Sequence, residues 1–467
     1  MAKKVARRAV RRKPAKVAAA KRRAAQERAR AEVKAGVGRV VAEAVEGALR
    51  AEVTELLGRE RYGRRAGAER KAVRARCSGC GADWSTRFVR GGSYSRTLLT
   101  VAAAVELKVP RVACICGGTV PLEFATIGRY ERGWGELQER ARELAAFGLS
   151  LADSRAVLAW GNGQPAAAST LCGFVRRAAD LAEALRRGPL ARVPAAVLLD
   201  GVWVTTLEGT GEFFADRKGR RRERMRRAKV VLLVAYGVDP AGGERWVLDW
   251  ERAAAEDEPS WRTLLERLRG RGLRTDAGLE LVVHDGGSGL EAALGTVHLG
   301  PGLLRQRCVF HVLRNVRDAV KGEGLDRAGR KERRREVLRD AAAIWQAADR
   351  GEAYRRRAAF AAQWDAAEPG AVATLGRAFA ATLAYFEALE RGRERGQAWE
   401  MRHLRTTSAL ERLNRDLRRQ ARRAGAFKSD RGLAAALALA ITRAGRVPGS
   451  GPGDLWTEVL EAGLLAG

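Results

Sequence analysis

Residues 195–300 spell out three strands, a helix, a fourth strand and a second helix. That order predicts an α/β protein built on a ribonuclease-H-like mixed sheet. Two further observations frame the rest of the chain. A long Ala-, Arg- and Glu-rich stretch over 321–400 reads as all-helical, and four cysteines in two close pairs predict a small β module of zinc-ribbon type before the sheet.

Composition limits what such a fold can be for. The chain carries 87 basic and 55 acidic residues, a net charge of +32, which favours a polyanion as partner, a nucleic acid first of all. No run of about 18 uncharged apolar residues predicts a membrane span. The start, with thirteen Lys/Arg and one acid in residues 1–30, lacks the apolar core of a secretory signal. The expectation is a cytoplasmic, nucleoid-associated protein.

In chain order, 1–30 reads as a basic tail, either disordered or a helix that forms on a phosphate backbone. Residues 31–69 begin with an amphipathic helix (Val33, Val37, Val41, Val45, Leu49, Val53, Leu56) that Gly58 can close, suited to packing, dimerisation or DNA. Residues 70–128 are the β module. Cys77 and Cys80 bracket Ser-Gly, and Cys114-Ile-Cys116 supplies the second half, so the four thiols predict a tetrahedral Zn²⁺ site. The module would staple a small domain, with or without touching DNA. Residues 129–190 read as three helices, the third from Pro165 to Leu185, fitting a helix-turn-helix or an ordinary bundle.

The sheet would occupy 191–320. Its first strand, 195–208, is apolar but holds Asp200, a carboxylate that is costly there without a partner. A basic hairpin, Arg217–Arg227, follows, then strands at 229–238 and 245–250, a helix at 259–271 and a strand at 279–284 that delivers Asp285 at its carboxyl end, before two glycines. Ligands collect at that end of such sheets. Two neighbouring carboxylates repel, and Mg²⁺ or Mn²⁺ removes the repulsion. His284 reads as a strand residue rather than a base. Cys308 and His311 read as a buried pair, since two ligands alone hold zinc poorly. Residues 401–445 contain a basic helix with Leu410, Leu413 and Leu417 on one face. Glu411 beside that face could be a third ligand or merely pair with Arg415. Residues 446–467 are a tail.

The chain resembles the Mutator-type transposases of bacterial insertion sequences. The resemblance rests on Glu52-Val-Thr-Glu-Leu-Leu-Gly58 with Arg61-Tyr62, Thr97 with Leu107–Arg111, and Tyr130-Glu-Arg132. It continues through Asp200-Gly-Val-Trp203, Asp285-Gly with Gly289-Leu290, Cys308-Val-Phe-His311 with Arg314-Asn315, and Thr406-Thr407 with Glu411-Arg-Leu-Asn414. Each motif is weak alone; the ordered set spans 50–425. It implies a DDE nuclease with a triad of Asp200, Asp285 and Glu411, a helical insertion before the last of them, and supporting roles for Cys308, His311, Arg314 and Asn315. It also implies two-metal cleavage at the ends of an element, joining of the 3′-hydroxyl to target DNA, and action as a homodimer or larger, because two ends must be held. A catalytically retired DNA-binding relative and a nuclease on the same fold are the alternatives. The cysteine module looks like an insertion relative to commoner members, and Ser408 stands where many have Asn.

Overall fold

The structure, a computed structural model, describes residues 2–63, 72–129, 131–162 and 164–446. Tyr130 of the resemblance and the tail from 447 lie outside those residues. The chain divides into two units, at Val175/Arg176.

The first unit opens with a long helix, α1 (Ala2–Leu57). Of the two readings of the basic segment 1–30, disordered tail or helix, the helix from Ala2 is the one found; its Ala, Arg and Lys residues are all good helix formers. Val45, Leu49, Val53 and Leu57 bury one stripe of α1 against a β-hairpin, whereas Val33 and Val40 remain exposed. Gly58, at φ +63°, ends the helix as its sequence position suggests. The hairpin pairs β1 (Phe88–Leu99) with β2 (Ala104–Cys114), and β3 (Thr119–Val120) adds a short third strand. Glu52 clamps the loop beyond β3 by accepting the Ala125 and Thr126 N–H groups at 2.7 and 2.9 Å. Helices α2 (Gly135–Phe147), α3 (Leu151–Asn162) and α4 (Ala168–Arg176) follow. Gly148 closes α2 in the left-handed region, and the Ser150 hydroxyl accepts the Asp153 N–H at 3.1 Å to cap α3.

The helix expected from Pro165 to Leu185 is in fact two. Leu171 and Phe174 of α4 pack with Leu137, Ala141 and Leu158. Beyond Arg177, α5 (Ala178–Ala184) belongs to the second unit. The stretch 129–190 thus straddles the division at Val175/Arg176.

The second unit holds a five-stranded sheet of β4 (Ala196–Ala215), β5 (Arg221–Val238), β6 (Arg245–Ala253), β7 (Leu281–His284) and β8 (Leu304–Arg307). The spatial order is β6-β5-β4-β7-β8; β4, β5 and β6 pair antiparallel, and β7 and β8 run parallel to β4. One face, with Val197, Leu199, Val231 and Leu233, packs on α6 (Glu258–Gly270) and α7 (Ser288–Thr296) through Trp261, Leu264, Leu265, Leu290 and Leu294. Asp249, fully buried on β6, is paired with Arg267 at 2.8 Å and Arg271 at 3.1 Å, the condition for a charge to survive burial.

After β8 come α8 (Val309–Ala319) and the expected helical stretch: α9 (Arg327–Ile344), α10 (Arg350–Trp364), α11 (Pro369–Ala378) and α12 (Ala384–Glu394). This stretch covers the β8 edge. Buried Gln306 donates to the Thr382 carbonyl at 2.8 Å and accepts the Tyr385 N–H at 3.0 Å. Helices α13 (Ser408–Ala424) and α14 (Asp430–Arg446) complete the unit, and α14 packs on both α13 and α5. Among the described residues, no helix is long and apolar enough to cross a membrane.

Candidate functional site

Asp200 stands in the middle of β4, and Leu198 pairs with Val283 of the parallel neighbour β7. Asp285 follows β7 directly, in the loop at its carboxyl end, and acts on the Asp200 carboxyl through space. The Asp285 carboxylate accepts the Gly287 N–H at 2.8 Å, which fixes it at the loop. Gly286 makes that loop possible: its φ is +85°, and a Cβ there would meet the Arg307 side chain.

Helix α13 brings the third acid. Its apolar stripe, Leu410, Leu413 and Leu417, is fully buried, so Glu411 and Asn414 are turned along the sheet side of the helix. Asn414 donates its amide to Asp200 Oδ2 at 2.9 Å, while Asp200 Oδ1 accepts the Gly201 N–H at 2.9 Å. Glu411 Oε1 lies 3.7 Å from His311 Nε2 and 3.9 Å from the Arg314 guanidinium, both on α8. The surface pairing of Glu411 with Arg415 is therefore not the geometry adopted.

The start of α13 is tied to the end of β8 through Cys308. Its sulfur accepts the Thr407 N–H and hydroxyl, each at 3.3 Å, and the Arg405 carbonyl accepts the Val309 N–H at 3.0 Å. Burial, with Glu411 nearby, pushes the Cys308 thiol up to about 12, so it packs here as a neutral group.

The electrostatics mark Asp200. The residue is only partly exposed, and its carboxyl is deep enough that burial pushes its pKa up to about 7. His311 pulls the other way, and Glu411 and Asp285 add to the rise. Glu411 Oε1, Asn414 Oδ1 and His311 Nδ1 are all buried without a hydrogen-bond partner. Polar atoms in that condition cost free energy unless a ligand satisfies them. Glu411, Asp285 and orphaned oxygens thus surround the Asp200 carboxyl, although among the described residues the cysteines form the one acid, thiol or imidazole group close enough to hold a metal as it stands. His284 is buried, and burial holds it below its usual value, in keeping with a strand residue rather than a base.

One further carboxylate at the site was not foreseen. Glu256, read from sequence only as an acid at a helix start, lies against Gly201. A Cβ on Gly201 would come within 2.7 Å of the Glu256 carboxyl. Gly289 lets α7 approach just as closely, since its Cβ would sit 2.3 Å from the Glu256 carbonyl. Burial raises the Glu256 pKa, and Asp285 adds to it. The glycines at 201 and 289 were the available signal. Asn414 had figured only within a motif. Asn315 makes no described side-chain contact with the acids.

In the first unit the four cysteines converge. Their sulfurs all lie within 4.8 Å of one another, with Cys77 and Cys116 3.5 Å apart and Cys80 and Cys114 3.7 Å apart. Each half is a turn whose glycine N–H reaches back to sulfur: Gly79 to Cys77 and Gly118 to Cys116, both at 3.4 Å. A Cβ on Gly118 would lie 2.6 Å from the Cys77 sulfur. The Ala82 N–H draws the Cys80 thiol down to about 6, and Arg87 sits against Cys80 and Cys114. Four thiols, one of low pKa, with a guanidinium beside them form a set that can hold a metal ion.

Fold and site thus define a mixed-sheet α/β protein with an acidic, partly buried site at the ends of parallel strands. The chain belongs to the Mutator family of transposases: the family described as "Transposase, Mutator family" matches residues 13–444. Two curated relatives set the scale of similarity. The transposase for insertion sequence element ISRM5 of Rhizobium meliloti (strain 1021) is 29% identical over 335 residues, 71% of this chain and 72% of its own length. The transposase for insertion sequence element IS406 of Burkholderia multivorans is 36% identical over 197 residues, 42% of this chain and 45% of its own. Among solved structures, the Drosophila P element transposase strand transfer complex covers 70% of this chain and 80% of that one, with 10% identity and a TM-score of 0.25, too low to bear on the fold.

Proposed function

We propose that this chain cleaves phosphodiester bonds at the ends of an insertion sequence and joins the freed 3′-hydroxyl to target DNA, with Asp200, Asp285 and Glu411 as the residues that hold divalent metal. What supports this reading is that Asp285, just after β7, and Glu411, on α13, both act on the Asp200 carboxyl, beside buried oxygens that lack partners. The sheet order, with three antiparallel strands followed by two parallel ones, supports a ribonuclease-H-like core.

A pair of Mg²⁺ or Mn²⁺ ions bound by these acids would neutralise their charge, activate the attacking water or hydroxyl and steady the leaving oxygen. The chain's own residues prepare that site. Asn414 and the Gly201 N–H occupy one lone pair on each Asp200 oxygen and so fix the carboxylate plane. Gly287 does the same for Asp285. His311 and Arg314 flank Glu411 from α8 at 3.7 and 3.9 Å. No protein base is required, in keeping with the burial of His284.

Double-stranded DNA, both element ends and target, is the partner this reading requires, and the charge of +32 suits it. Holding two ends calls for a homodimer or a larger assembly, working on the nucleoid in the cytoplasm. The cysteine cluster would carry Zn²⁺ as a structural staple. The test is cleavage and strand transfer in Mg²⁺ on duplexes bearing the element's own ends. Full activity in Asp200→Ala or Asp285→Ala would overturn the assignment.

A further inference from the structure

Strands β4 and β5 do not stop where the sheet does. Their paired segments continue through Gly209–Ala215 and Arg221–Ala228 as a two-stranded ribbon joined by a turn at Asp216–Arg220. The sheet's last attachment is at Thr205–Glu208, where Phe427 pairs with Thr205 and Leu207, and Arg252 reaches Glu208 at 3.0 Å. From Gly209 to Lys229 every residue is exposed except Asp216 and Ala228, which are partly so. The ribbon extends about 20 Å beyond Gly209.

Its composition is lopsided: nine basic residues and three acidic ones between Gly209 and Lys229. The three acids are spent on shape. Asp216 closes the turn by accepting the Lys218 and Arg220 N–H groups at 2.9 and 3.0 Å. Glu223 accepts the Gly211 N–H at 3.0 Å, at a bulge between Gly209 and Phe213 that twists the ribbon, and Glu212 pairs with Arg224 at 3.3 Å. Arg217, Lys218, Arg221 and Arg227 make no ion pair among the described residues. Phe213, Phe214 and Met225 are 52%, 45% and 44% exposed, far more than apolar side chains on an unpartnered strand pair warrant. Arg221 stacks on Phe213 at 4.0 Å, which holds its guanidinium extended in advance.

We infer that this ribbon is a docking arm for duplex DNA, its guanidinium groups lying on phosphates and its aromatic tip seated in a groove. A two-stranded β-ribbon fits the major groove of B-DNA, and apolar side chains on such arms can wedge against base steps. A second copy of the ribbon is a poor occupant, because two such basic surfaces repel. The inference rests on the proposed transposase activity for its choice of DNA. The ribbon begins about 30 Å along β4 from Asp200, so it binds without taking part in chemistry.

The experiment uses the full chain in EDTA, with fluorescence anisotropy on a labelled duplex carrying the element's terminal repeat and on a scrambled duplex of equal length. One variant replaces residues 210–224 with Asn-Gly, joining the paired residues Gly209 and Met225 by a tight turn. A second, Arg217→Glu with Lys218→Glu and Arg221→Glu, alters only exposed tip residues and guards against misfolding of the first. Both are expected to lose about tenfold or more in affinity for both duplexes, with a salt dependence shallower by about two to three in log–log slope. Wild-type binding with unchanged affinity and slope in both variants would overturn the arm while leaving the transposase reading intact. An intact chain that binds neither duplex would overturn both. A single-stranded probe of the same length and sedimentation of each variant run alongside: loss confined to the single strand, or a change in sedimentation mass alone, would assign the ribbon to another partner and also overturn it.

Discussion

The cysteine cluster and the carboxylate site are both ligand sets, but they are assembled in opposite ways. The cysteines come from two tight turns, one ahead of β1 and one at the end of β2, joined by the Ser78 N–H to Thr119 carbonyl bond at 2.9 Å. The acids come from a strand, a loop and a helix, and their meeting depends on the whole second unit. The thiols sit in ready-made turns that N–H groups and Arg87 stabilise. Asp285 and Glu411, by contrast, both make Asp200 harder to ionise.

That contrast can be broken at either end. The largest effect should come from the thiols. Cys80→Ser or Cys114→Ser should drop the metal content from about one zinc per chain to below half. The loss of structural binding energy, on the order of 10 kcal/mol, should melt the first unit in calorimetry while the second unit's transition stays put. A single unchanged transition would contradict the staple. Next, Asp200→Ala and Asp285→Ala should lower strand transfer by ~10³-fold or more with little change in circular dichroism. Asn414→Ala should do less, roughly 10- to 100-fold in activity, because it removes an orienting partner and not a ligand. Recovery of wild-type rates in that variant would show that Asp200 needs no such support.

The smallest effect is on stability. The Asp200 pKa in the fold, about 7, lies above its usual 3.8. The folded state therefore holds the proton more tightly than the unfolded chain does. For this group stability is complete below about pH 4 and falls as pH rises through about 7. In EDTA, Asp200→Asn should abolish that decline and be more stable than the parent at about pH 8, by on the order of 2 kcal/mol in urea titrations. Parallel curves for the two proteins would deny that the carboxyl is penalised.

The same contrast explains what could be read in advance. The cysteine spacing was legible because local turns are encoded locally. The apolar strands β4, β5 and β7 stood out by their runs of Val and Leu. The fifth strand, β8, did not: Leu-Arg-Gln-Arg has no strand signature, and it is held by parallel pairing with β7 and by the Gln306 contacts. The ribbon was read as a basic hairpin with no strand of its own, because Arg and Gly obscure a period of two; cross-strand pairs such as Phe214 with Arg222 organise it instead. Glu256 was missed because its neighbours in the site, Gly201 and Asp285, are distant in sequence. Glu411 came from resemblance alone, and no helical pattern could have singled it out from its arginine-rich surroundings.

The Cys308 contact carries a final implication. It joins the end of β8 to the threonine before α13 directly, across 99 positions of chain. The two ends of the intervening excursion are thus tied to each other directly, with Arg405 reaching the Trp345 carbonyl within it at 3.2 Å as a further anchor. Lineages would be free to lengthen, shorten or rebuild that excursion, adding new surfaces for other molecules, without re-aiming the active helix.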